Sequence, residues 1–114
     1  MFSPEVQIAF SLAVREAQRR RHEYLTSEHV LYALLHEEQG QEIMSQCGVD
    51  LRTLRQNLER YFVEQLHPLP DVREDVPEQT VSLQRILQRT LLHMQSAGKH
   101  QVSVGDLLAA ILEE

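Results

Sequence analysis

With 114 residues, 42% hydrophobic and 25% charged side chains, the chain has the size and composition of one globular domain, which excludes a disordered or collagen-like polymer. Seventeen acidic against 11 basic side chains give a formal net charge of −6, the wrong sign for a nucleic-acid binder. One cysteine, Cys47, can make neither an internal disulfide nor a cysteine-rich zinc site, so the chain suits a reducing compartment.

Ser3-Pro4-Glu5 opens a first helix with a cap, a proline at the first helical position and an acid near the positive dipole end. Val6, Ala9, Phe10, Ala13, Val14 and Ala17 continue it as one apolar stripe, with Phe10 expected in the core. Arg19-Arg20-Arg21 closes that helix with charge the dipole favours, and a solvated helix end is expected there in preference to an anion-binding patch. Thr26 caps a second helix whose buried face is Val30, Leu31, Leu34 and Leu35. Gly40 is expected to separate it from a third, short helix carrying Ile43, Met44 and Cys47, which Gly48 ends. Asp50 caps a fourth, with Leu51, Leu54, Leu58, Tyr61 and Phe62 inward.

Three of the four prolines fall between His67 and Gln79, which reads as an internal loop. A fifth helix is expected from Ser82 to Gly98 and a sixth from Ser103. No segment reads as a strand. The longest apolar runs, Val30–Leu35 and Leu107–Leu112, fall far below the ~20 residues a membrane span needs. Met1–Glu5 has no basic or long apolar leader character, so the expected location is the cytoplasm.

Sliding the chain by 77 residues lays Val6, Ala9, Phe10, Ala13, Val14 and Ala17 on Leu83, Ile86, Leu87, Thr90, Leu91 and Met94. The same shift lays Thr26, Val30, Leu31, Ala33, Leu34 and Leu35 on Ser103, Leu107, Leu108, Ala110, Ile111 and Leu112. Two helices, their spacing and a cap agree under one offset, which indicates two copies of a helical unit around a shared core. The expected fold is all-α, a pseudo-twofold repeat of a four-helix unit with the second copy short, about six helices in all. One domain over 1–114 divides into repeat one at 3–65, a loop at 66–80 and a partial repeat two at 82–114.

Catalytic signatures are absent: there is no G-x-S-x-G elbow and no G-x-x-x-x-G-K-[ST] phosphate loop. Cys47, in an apolar stretch, is expected to be a small buried residue and not a nucleophile. His22-Glu23-Tyr24-Leu25-Thr26 begins like H-E-x-x-H but has threonine at the second histidine position. His29 and His36 stand two helical turns apart, too far to share a metal. No metal, no cofactor and no catalytic group is expected, and a compact helical module of this kind binds other proteins.

The segment His22-Glu23-Tyr24-Leu25-Thr26-Ser27-Glu28-His29-Val30-Leu31-Tyr32-Ala33-Leu34-Leu35 resembles the signature of Clp N-terminal domains, and Leu83-Gln84-Arg85-Ile86-Leu87-Gln88-Arg89 resembles the second signature, with Leu83 in place of the usual phenylalanine. His93–Gly98 and Cys47–Leu51 bring the resemblance toward the ClpA subclass of AAA+ unfoldases. The resemblance implies a repeat of two four-helix units, mobile on a hexameric ATPase, that receives protein substrates directly or through the N-degron adaptor ClpS for unfolding and degradation by ClpP. It implies that this chain hydrolyses nothing itself, the ATPase modules lying elsewhere. It also implies an adaptor-binding face at His22, Glu23, Glu28 and Thr80, with Val81, Gln84 and Arg85 beside them. The alternative is a free-standing Clp-N-like helical regulator that competes for the same partner.

Overall fold

The computed structural model describes residues 1–71 and 74–113. Val72 and Arg73 of the expected loop and Glu114 of the expected partial repeat lie outside the described residues. In chain order the elements are α1 (Pro4–Arg19), β1 (Tyr24–Leu25), α2 (Ser27–Leu35), α3 (Glu38–Gln46), α4 (Leu51–Gln65), β2 (Glu78–Gln79), α5 (Val81–Ser96) and α6 (Val104–Glu113). α1 packs along α2 and α5 along α6; α3 sits against both α2 and α6, and α4 covers α2.

Local chemistry starts and stops these helices at equivalent places in the two copies. Ser3 Oγ accepts from the Val6 amide at 3.2 Å, and Thr80 Oγ1 accepts from the Leu83 amide at 3.2 Å. Thr80 is therefore the cap of α5, which begins at Val81, one residue before the helix start expected at Ser82. Thr80 is the residue that the 77-residue offset lays on Ser3. Thr26 and Ser103 cap α2 and α6 as expected. His29 N donates to Thr26 Oγ1 at 3.3 Å, and Asp106 N donates to Ser103 Oγ at 3.2 Å.

Both boxes are reciprocal: the Thr26 amide donates to His29 Nδ1 at 3.0 Å and the Ser103 amide to Asp106 Oδ2 at 3.0 Å. α1 and α5 also end alike. His22 N donates to Ala17 O at 2.9 Å and Lys99 N to Met94 O at 3.0 Å, each around a left-handed residue, Arg21 (φ 60°) and Gly98 (φ 71°).

The buried residues follow the same symmetry. Val6, Ala9, Ala13 and Ala17 are closed to solvent, as are their mates Leu83, Ile86, Thr90 and Met94. Thr90 satisfies its hydroxyl by donating to Ile86 O at 2.7 Å. Phe10 and Leu87, expected in the core, are only half-buried and pack against its edge on either side of an open groove that also touches Phe2.

Further expectations need correction. Strands do form: β1 and β2 pair in parallel, Tyr24 with Glu78 and Leu25 with Gln79, and Phe2 bridges Val102. Phe2 and Val102 are the residues that the 77-residue offset lays on Gln79 and Leu25, so each copy's leading residues pair with the other copy. Pairs this short have too few residues to show alternation.

Cys47 is exposed, because it caps the C-terminal end of α3 instead of lying on its inner face.

Gly40 does not separate α2 from α3 but lies buried inside α3, where a Cβ would stand 2.1 Å from Leu34 O. The glycine lets α3 pack directly on the end of α2. Gly40→Ala is expected to force the two helices apart and destabilise by about 1–3 kcal/mol, despite alanine's better helix propensity. Denaturant unfolding checks this, and an unchanged midpoint would show that the approach is not required.

The Arg19–Arg21 run is not merely solvated. Arg20 is half-buried, pairs with Glu16 and Glu59, and sets its guanidinium 4.7 Å from the centre of the Phe62 ring. Arg21 accepts at its carbonyl from Leu69 N at 2.7 Å and donates Nη1 to Pro70 O at 3.2 Å, pinning the loop to the end of α1. Gln18 Nε2 holds the same loop further on, donating to Asp75 O at 2.9 Å.

Candidate protein-docking face

The left-handed turn at Arg21 reverses the chain and turns His22 inward, where it is only 5% exposed. From there β1 runs to Thr26 and α2, while β2 alongside it runs to Thr80 and α5. The Thr80 amide donates to Leu25 O at 3.1 Å, so α2 and α5 start side by side. Segments more than 50 residues apart in sequence are thus joined through backbone pairing.

This junction brings most of the sequence-predicted site residues to one surface. Glu23 is exposed at the approach to β1, and Glu28 is half-buried in the first turn of α2, accepting from Ser27 Oγ at 3.4 Å. Burial pushes the Tyr61 phenol up, and the Glu28 charge adds to that shift, so Glu28 lies within electrostatic reach of α4. Val81 is 68% exposed and Arg85 is exposed on the outer side of α5. Gln84 is exposed too, but its amide Nε2 donates to Gln79 O at 3.1 Å and closes the end of β2. Thr80, half-buried, is committed to the cap through its hydroxyl.

His22 belongs beneath this face and not on it. Its Nδ1 lies 2.8 Å from His29 Nε2, and both rings pack on Phe62, His29 in a stack with centroids 4.9 Å apart. Because the Thr26 amide donates to His29 Nδ1, the His29 proton sits on Nε2 and is donated to His22 Nδ1. Burial, then the neighbouring His22 and Arg20, push His29 down to about 4 against the opposing pull of Glu16. His22 is lowered as well, by burial first and then by Arg20.

Sequence reasoning passed over Tyr24, which stands between Glu23 and Thr26 and is 46% exposed. The signal available was its place opposite buried Leu25 in an outward–inward alternation, too short to read without the β2 partner. The face therefore combines two carboxylates able to accept charge-assisted hydrogen bonds with two exposed apolar side chains, Tyr24 and Val81. No group of three metal-ligating side chains occurs among the described residues, and no helix among them is long and apolar enough to cross a membrane.

Comparison with known proteins adds the following. The profile of the Clp repeat (R) N-terminal domain family matches residues 1–114. A ClpA homolog protein of Fuscovulum blasticum is 36% identical over 116 residues, covering 99% of this chain, and the chain spans 14% of that relative's length. The crystal structure of the Hsp104 N-terminal domain from Candida albicans has the same fold, with a TM-score of 0.85 at 14% identity over 98% of this chain and 73% of that one. A ClpV N-domain in complex with VipB peptide matches with a TM-score of 0.79 at 18% identity over 99% of this chain and 68% of that one. The chain belongs to the Clp repeat (R) N-terminal domain family.

Proposed function

We propose that this domain is the substrate- and adaptor-docking module of a ClpA-type AAA+ unfoldase, and that the adaptor ClpS docks on the face formed by Glu23, Tyr24, Glu28, Thr80, Val81, Gln84 and Arg85. The observation that carries the reading is the β1–β2 pairing, through which carboxylates from the α2 start meet an exposed aliphatic side chain at the α5 start. Likeness to a ClpA homolog supports the choice of unfoldase class, and the peptide-bound ClpV N-domain supports protein docking as the activity. His22 acts from below, holding the reversal that presents Glu23. ATP turnover belongs to AAA+ modules outside this domain, and ClpP meets the delivered substrate only after them.

Glu23→Ala combined with Glu28→Ala is expected to weaken ClpS binding at least tenfold, about 1.4 kcal/mol, with melting within a few degrees of the parent. Calorimetric titration checks it. Unchanged affinity in a folded double variant would remove this face from consideration, and no ClpS binding by the parent would remove ClpS itself.

A further inference from the structure

We propose that the groove between α1 and the last turns of α2 is a second docking surface, and that its partner is an acidic amphipathic segment carrying aliphatic side chains. The groove encloses about 270 Å³ between Leu12, Arg15 and Arg19 on one wall and Tyr32, Ala33 and His36 on the other. Leu12 is 41% exposed and Ile8, one turn earlier on the same side of α1, is 58% exposed. Tyr32 forms a rigid floor, its ring edge-on to Phe62 at 5.5 Å and tilted against the His36 ring at 4.7 Å.

The charges around these apolar side chains do not cancel. Among the described residues Glu16 is the one acid lining the groove, and its carboxylate is taken by Arg19 and Arg20. Burial raises the Glu16 carboxyl, but those two arginines outweigh it and hold the group below its usual range, so it stays charged and engaged. Arg20 is further occupied by Glu59. Arg15 makes no ion pair among the described residues and stands exposed beside Leu12. In a chain of net charge −6 this is a local cationic and aliphatic strip.

The second copy shows what such a groove accepts. The 77-residue offset lays Leu12, Ala33 and His36 on Arg89, Ala110 and Glu113, which line the equivalent groove between α5 and α6. There Arg89 Nη2 donates to Ala110 O at 2.8 Å and its Nε lies 3.9 Å from the Glu113 carboxylate. That groove is crossed by its own arginine–carboxylate pair. The first-copy groove has the cations and the exposed leucine but lacks a carboxylate for Arg15, and the partner supplies it. The pattern is that of an amphipathic helix laid in a groove, leucines toward Leu12 and Ile8 and glutamates toward Arg15 and Arg19.

The test uses a synthetic helical peptide with a leucine stripe flanked by glutamates, and a twin with lysine in place of each glutamate, titrated into the chain by fluorescence anisotropy and amide chemical shift. The acidic peptide is expected to shift Leu12, Arg15, Tyr32, Ala33 and His36, to bind at least tenfold more tightly than the lysine twin, and to weaken as salt rises. Arg15→Glu and Leu12→Asn, both at exposed positions, are each expected to weaken it at least tenfold, and either variant decides the matter if the other does not fold. The Glu23→Ala, Glu28→Ala double variant should bind the peptide unchanged, which separates this surface from the adaptor face. No shift at millimolar peptide, shifts confined elsewhere, equal binding of the twin, or full affinity in the folded variants would overturn the proposal.

Discussion

Phe62→Ala is expected to destabilise the domain by about 3–5 kcal/mol, near the upper range for truncating a buried aromatic. Phe62 and Leu58 are the buried side chains of α4, Phe62 the more completely, so α4 is held to the rest of the fold largely through them. The Phe62 ring stacks on His29 with planes 13° apart, meets Tyr32 edge-on and carries the Arg20 guanidinium on its face. Truncation would leave a cavity against a buried histidine and remove the surface beneath Arg20, so more than apolar area is lost. Val63→Ala, one residue on and 74% exposed, should stay within about 0.5 kcal/mol. Denaturant midpoints of both variants make the comparison, and a Phe62→Ala midpoint equal to that of Val63→Ala would show that α4 is anchored elsewhere.

Acid is expected to weaken the fold through the same cluster. An unfolded histidine titrates near 6.5, whereas His29 is held at about 4. Above pH 6.5 both states are neutral at this residue and it has no effect on stability. As pH falls below 6.5 the unfolded chain takes up a proton that the folded chain refuses, and stability declines until the folded residue protonates near 4. The full loss from His29 is about 3 kcal/mol, and His22, lowered in the same direction, adds to it. Burial is the main cause, and the hydrogen bonds act in the same direction: protonated Nδ1 of His29 would confront the Thr26 amide, and protonated Nδ1 of His22 would confront His29 Nε2–H. Thermal unfolding from pH 7.5 downward measures the decline, and the ring resonances of His29 should keep their neutral positions to about pH 5. A His29 that titrates near 6.5 in the folded protein would contradict the arrangement.

The all-α fold and its duplication were legible because apolar steps of three and four residues and the Thr26 and Ser103 caps are local signals. The same offset already held the start of α5, since it lays Ser3 on Thr80, but a residue read for partner contact was not read as a cap. Gly40 misled because a glycine between two apolar runs reads as a break, whereas the Leu34 carbonyl that requires it is brought near only by tertiary packing. His22 misled for a similar reason. Its neighbours in sequence are polar, and its partners His29 and Phe62 arrive from α2 and α4. Of the candidate face, the acids and Val81 came from the family resemblance and not from local pattern, while Tyr24 depended on a strand pair two residues long.

The exchanged bridges, Phe2 with Val102 and Gln79 with Leu25, bear on how a molecule like this could come to exist. One copy alone has no internal partner for its leading residues, and the edge beside its second helix stands open; two copies close both edges reciprocally. Geometrically the domain is a strand-exchanged dimer whose two members have become one chain, with the span from Leu66 to Pro77 as the tether. In such an object the tether contributes proximity, and the recognition is written in the units themselves. Cleaving the tether would turn one folding event into a bimolecular association without removing either bridge.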